Sequence, residues 1–205
     1  MRQKLKMLTA ITGLVLAIPL AATADENNGQ GNTVRESVQV ADHFMFGDPP
    51  VLVQGATILV RDLAARVITA TVTSAALVPH NAYSIWWVVF NRPQYCATPY
   101  ECAGSDLGNP AVRGSVFWGG GLLADGDGYG NTQIELRRGR TDRELFGPMR
   151  DDGLQRLGAA EIHLVLRTHG PAGIAGSVAA QIGTANEACP PGGCQNVFFS
   201  VHRAM

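Results

Sequence analysis

The run Tyr83-Ser-Ile-Trp-Trp-Val-Val-Phe90 constrains this chain more than any other stretch. Side chains of an extended segment alternate between faces, so Tyr83, Ile85, Trp87 and Val89 point one way and Ala82, Ser84, Trp86, Val88 and Phe90 the other. Both faces are apolar from about Ile85 onward. Aromatic and β-branched residues suit a strand better than a helix, and a strand apolar on both sides belongs in the middle of a sheet covered above and below. The second cover is a loop, a partner or a ligand. Asn91-Arg92-Pro93 ends the strand, because proline cannot donate to a ladder.

Other stretches carry weaker strand signals. Val51 to Arg61 and Arg66 to Ala76 read as strands joined by a turn at Asp62 to Ala65. Val112 to Trp118 is strand-like, and Gly119-Gly120-Gly121 breaks or bulges it. Thr132 to Arg138 alternates as a half-buried strand. Ala160 to Thr168, Ile174 to Ile182 and Asn196 to His202 complete the set. Thr141-Asp-Arg-Glu144 is a capping-box pattern, and Leu145, Phe146, Met149, Leu154 and Leu157 support one or two helical turns, with Pro148 and Gly153 preventing a long helix. The expected fold is all-β, an antiparallel β-sandwich with one short helical insertion. It forms a single domain over residues 35–205, after a flexible, Asn- and Gly-rich segment at 25–34.

Residues 1–24 read as a secretory signal peptide: Arg2, Lys4 and Lys6 precede an apolar run from Met7, and Ala22-Thr23-Ala24 gives a cleavage site. The apolar run is short and holds Gly13 and Pro19, so no transmembrane anchor is expected after cleavage. The expected location is periplasmic or secreted. Without the signal, 13 basic residues stand against 17 acidic ones, a formal charge of −4. Beyond Arg137-Arg138-Gly139-Arg140 there is no basic cluster, so nucleic acid is not an expected partner.

The four cysteines, Cys96, Cys102, Cys189 and Cys194, permit three pairings. Pairing Cys96 with Cys102 and Cys189 with Cys194 closes two short loops, the second turn-rich at Pro190-Pro-Gly-Gly193. Exported cysteines are usually oxidised, and neither spacing is the C-x-x-C of structural zinc, so two disulfides are expected over thiolate metal binding.

Candidate sites are few. His163 and His169 share the less apolar face of their strand, but six residues of straight strand separate them by about 20 Å. A copper or zinc site would need a bend and a further histidine such as His80. Asp125, Asp127 and Asn131 offer oxygen atoms to calcium, although Tyr129 replaces one ligand position and no glutamate follows at the twelfth. Tyr83, Trp86, Trp87 and Arg167 are candidates for a ligand groove, weighed against ordinary core packing. No G-x-S-x-G or comparable nucleophile motif occurs, so no catalytic residue is assigned.

Two blocks, Trp86-Trp-Val-Val-Phe-Asn91 with Pro93 and Cys96, and Glu161-Ile-His-Leu-Val-Leu-Arg-Thr-His-Gly-Pro-Ala172, resemble a loose group of secreted bacterial proteins that supplies no activity to carry over. More distantly, Val67 to Thr73 leading through Leu77 to Asn81 into the next strand is similar to chordin-type (CHRD) domains and copper/zinc superoxide dismutases. That resemblance implies a Greek-key sandwich. It does not imply dismutase chemistry, because the strand that would carry the H-x-H ligands reads Tyr83-Ser-Ile-Trp-Trp-Val-Val and only His169 matches a ligand position. The functional expectation is an exported, non-enzymatic module that binds an unknown ligand or envelope component, with no cofactor; the alternative is a copper- or zinc-binding protein using strand histidines.

Overall fold

The computed structural model describes residues 33–39, 54–139, 153–184 and 188–205. The signal segment, most of 25–34 and the helical turns expected from 141 to 152 lie outside the described residues. Among the described residues, eight strands form two four-stranded antiparallel sheets. The first holds β1 (Thr33–Gln39), β2 (Gln54–Asp62), β3 (Val67–Ala75) and β6 (Gly130–Arg137), in the order β1-β2-β3-β6. The second holds β5 (Gly114–Leu123), β4 (Asn81–Phe90), β7 (Glu161–Pro171) and β8 (Gln195–His202), in the order β5-β4-β7-β8. The chain crosses between the sheets three times, from β3 to β4, from β5 to β6 and from β6 to β7. This is the all-β antiparallel sandwich expected from the strand pattern.

Every residue of β4 is buried. Tyr83, Ile85, Trp87 and Val89 meet Leu59, Ile68, Val72 and Ile134 between the sheets. Trp86, Val88 and Phe90 form a second core on the outer face with Val116, Val165, Phe199, Leu107, Val112 and the Cys96–Cys102 disulfide. The second cover is therefore a loop of this same chain. At roughly 25 cal/mol per Å² and about 200 Å² each, burying the two tryptophans contributes about 5 kcal/mol apiece before ordering costs.

Three expectations need correction. The strand expected over Ile174 to Ile182 is instead a turn followed by helix α1 (Val178–Gly183). Gly173 and Gly176 take positive φ and end the extended chain, and the Ser177 hydroxyl caps the helix by accepting the Ala180 N–H. The one described α-helix thus lies after β7. The expected insertion reaches the described residues only at Leu154 and Leu157, both buried and not helical. Of the two outcomes expected for the glycine run, a break or a bulge, the bulge is found: β5 continues through the run, and the ladder to β4 shifts register between Ile85 and Trp86 so that Gly119 is the bulged residue. Gly121 has a second use, since a Cβ there would strike the backbone of Ile182, on which Trp118 Nε1 donates at 3.0 Å. Finally, the sandwich begins at Thr33, inside the segment expected to be flexible, because β1 pairs with β2 along its whole length.

Candidate functional site

The outer face of β7 carries Glu161, His163, Arg167 and His169, and their surroundings divide them into two groups. Glu161 and His163 lie two residues apart on one strand face, both fully buried, with His163 Nε2 2.7 Å from Glu161 Oε1. The same oxygen accepts the Cys102 N–H at 2.9 Å, and Arg203 Nη1 lies 3.4 Å from Glu161 Oε2. Burial acts to raise the Glu161 carboxyl pKa, but the His163 hydrogen bond and charge, the Cys102 N–H and Arg203 together hold it below its ordinary value. The pair ties β7 to the disulfide loop. Histidine and glutamate two apart in an otherwise apolar strand were the sequence signal for it.

His169, also fully buried, sits at the other end of β7. Its Nε2 is 2.9 Å from Ser84 Oγ, which accepts the Trp86 Nε1–H at 3.3 Å. Its Nδ1 is 3.2 Å from Cys194 Sγ, one sulfur of the Cys189–Cys194 disulfide. The Arg167 guanidinium stacks on Trp86 at 5.0 Å and donates to Asn196 Oδ1 at 2.8 Å. The buried Gln181 side chain of α1 donates to the carbonyls of His169 and Pro171, fixing the backbone on that side. Pro190 packs over Gly170, where φ is +73° and a Cβ would lie 3.2 Å from the proline ring.

The expected disulfides are both formed. The candidate metal histidines are not brought together: His163 is bound to Glu161, His169 to Ser84, and His80 is exposed in the β3–β4 turn. Among the described residues the single cluster of three histidine, cysteine or acidic ligand atoms within 4.8 Å is His169 with Cys189 and Cys194. Its sulfurs are bonded to each other and have no thiolate to give a cation. At the candidate calcium loop, Asp125 Oδ1 accepts the N–H groups of Asp127 and Tyr129, a self-contained turn, while Asp127 and Asn131 are exposed. The candidate groove residues divide between faces, with Tyr83 and Trp87 between the sheets and Trp86 beneath Arg167.

A concave site that the sequence did not signal lies at the end of the sandwich away from the β3–β4 turn. A cavity of about 360 Å³ is lined by Arg66, Arg138 and Arg156 with Leu63, Gln155 and Leu157. Three segments build it. The β2–β3 turn supplies Arg66, which has φ +58° in a turn closed by Asp62 Oδ1 accepting the Ala65 N–H. The Arg138 N–H donates to the Arg66 carbonyl at 3.0 Å, so these two residues are held side by side. The third segment, 155–159, is fastened from below by the buried Arg61, whose Nη1 donates to the carbonyls of Leu157 and Ala160. Among the described residues, none of the three lining guanidinium groups is paired with a carboxylate. Arg138 belongs to the one basic cluster of the sequence after residue 24, but Arg66 and Arg156 join it only through the fold.

No protein-family model matches the chain, and no curated protein or solved structure matches it. No described helix is long and apolar enough to cross a membrane.

Proposed function

We propose that this protein is an exported, non-enzymatic binding module whose ligand is an anionic component of the cell envelope, bearing carboxylate or phosphate groups. The observation that carries this reading is the cavity lined by Arg66, Arg138 and Arg156. A guanidinium presents a planar fork of donors that matches a carboxylate or phosphate, and three of them around one concavity concentrate positive potential in a chain whose net charge is negative. Export is supported by the signal-like residues 1–24 and by two disulfides, which persist in oxidising compartments. The likeness to CHRD-type sandwiches is carried here as a proposal about fold grammar and adds no chemistry.

The test is co-sedimentation of the mature chain with purified envelope fractions, compared with Arg66→Ala/Arg138→Ala/Arg156→Ala. Binding that falls at least tenfold in the triple variant and weakens as salt rises supports the reading. Equal sedimentation of the two proteins refutes the arginine site. Turnover of an ester, glycoside or peptide by the wild type, lost on substituting one side chain, refutes the non-enzymatic assignment.

A further inference from the structure

We propose that Cys189–Cys194 is an exchangeable disulfide, attacked at Cys189 by an external dithiol, with Cys194 leaving as a thiolate that accepts a hydrogen bond from His169 Nδ1–H and takes its proton from solvent. The two sulfurs are unequal. Cys189 is half-buried at the surface of the loop, whereas Cys194 is buried with its Sγ 3.2 Å from His169 Nδ1. An incoming thiolate therefore reaches Cys189 first. The electron pair of the broken bond then falls on the sulfur that faces the imidazole.

The proton on Nδ1 follows from the hydrogen bonds behind the ring. The Trp86 indole can only donate, and it donates to Ser84 Oγ. Among the described residues Ser84 Oγ has no hydrogen-bond acceptor besides His169 Nε2, so we assign its hydroxyl proton to that bond, which makes Nε2 the acceptor and places the proton of the neutral ring on Nδ1, facing Cys194. Ser84 and Trp86 are positioning residues, and His169 is the group that meets the reacting atom. Thiol–disulfide exchange is faster when the leaving thiol has a lower pKa, and a hydrogen-bond donor beside the nascent thiolate lowers it. In the first step the Cys189–Cys194 bond breaks and a mixed disulfide forms between Cys189 and the dithiol. In the second, the dithiol's other sulfur attacks its own mixed-disulfide sulfur and releases Cys189. The dithiol loses two electrons and two protons, and the two cysteines gain them.

Cys96–Cys102 supplies an internal control, since both sulfurs are buried within the second core. The experiment treats the folded mature protein with dithiothreitol at neutral pH, traps thiols with a maleimide at intervals, and maps the labelled peptides. Cys189 and Cys194 are expected to label at least tenfold faster than Cys96 and Cys102. His169→Gln should slow their labelling by about tenfold at unchanged near-UV circular dichroism, because the leaving thiolate loses the imidazole N–H that stabilises it. Ser84→Ala keeps the imidazole, releases its tautomer and should slow labelling by a smaller factor, which decides the matter if His169→Gln fails to fold. With oxidised glutathione and the reduced protein, the mixed disulfide should be trapped on Cys189. Equal labelling of the two disulfides, wild-type rates in the folded variants, or an adduct on Cys194 would overturn the proposal.

Discussion

The two disulfide loops of this protein have nearly the same covalent form and opposite surroundings. Cys96–Cys102 and Cys189–Cys194 span sequence separations of 6 and 5. In the chain-entropy account each therefore stabilises by a similar amount, about 2 kcal/mol. The first is packed against Phe90, Leu107 and Val112, and its Cys102 N–H is held by the buried Glu161 carboxylate. Asp106 reinforces it, one carboxylate oxygen accepting the Ala97 N–H and the other the Ala103 N–H. The second lies at an edge, with one sulfur half-buried and the other against His169. Loop length thus gives the two bridges equal cross-linking value, and the neighbours decide that one is core and the other is reactive.

The largest expected effect attacks the anchor of the first loop. Glu161→Ala leaves His163 buried without its carboxylate and the Cys102 N–H without its acceptor, at a cost of roughly 3 to 5 kcal/mol in urea unfolding. Because the folded pKa of Glu161 is depressed, its contribution is fully present above the unfolded value of about 4.3 and is lost as pH falls through the folded value. The stability gap between wild type and variant should therefore narrow on acidification below about pH 4.3, and a gap that widens there contradicts the assigned carboxylate.

Next in size is Cys96→Ser/Cys102→Ser, expected to cost about 4 kcal/mol because buried packing adds to loop entropy. Cys189→Ser/Cys194→Ser should cost about 2 kcal/mol, close to the entropic value alone. Equal losses from the two double variants, measured by the same urea titration, would erase the distinction drawn between the loops. The smallest effect belongs to a third loop. Asp125→Ala removes the acceptor for two turn N–H groups at an exposed position and should shift stability by less than about 1 kcal/mol. Calcium should leave the melting temperature of wild type and variant alike unchanged, as read by differential scanning calorimetry.

Much of the sandwich was legible in the residues. The placing of β4 followed from Ile85 to Phe90 being apolar on both faces, and the cysteine pairs followed from short, turn-rich loops. The misreadings have local causes. Ile174 to Ile182 looked extended because its apolar residues suit either state, and Ser177 as a helix cap and Gln181 as a buried donor only have meaning beside Ala180 and the carbonyls of β7. The glycine run of β5 left a break and a bulge both open, because the close approach of α1 at Gly121 is a property of a distant segment. The less apolar face of β7 gave no partner for His163 or His169, since nothing within β7 shows that the loop between Asn91 and Arg113 lies across it.

The sequence by itself determined a central, doubly covered strand, two short covalent loops and a β-sandwich around them, because strand periodicity, apolar content and loop closure act over a few neighbouring residues. Tertiary structure alone decided that Arg66, Arg138 and Arg156 share a cavity, that Glu161 holds Cys102, and that His169 stands between Ser84 and Cys194. Those meetings join residues from separate elements, some of them more than eighty positions apart. They depend on which strands become neighbours and in what register, and the many apolar contacts of the whole core set that order before any single polar pair can form.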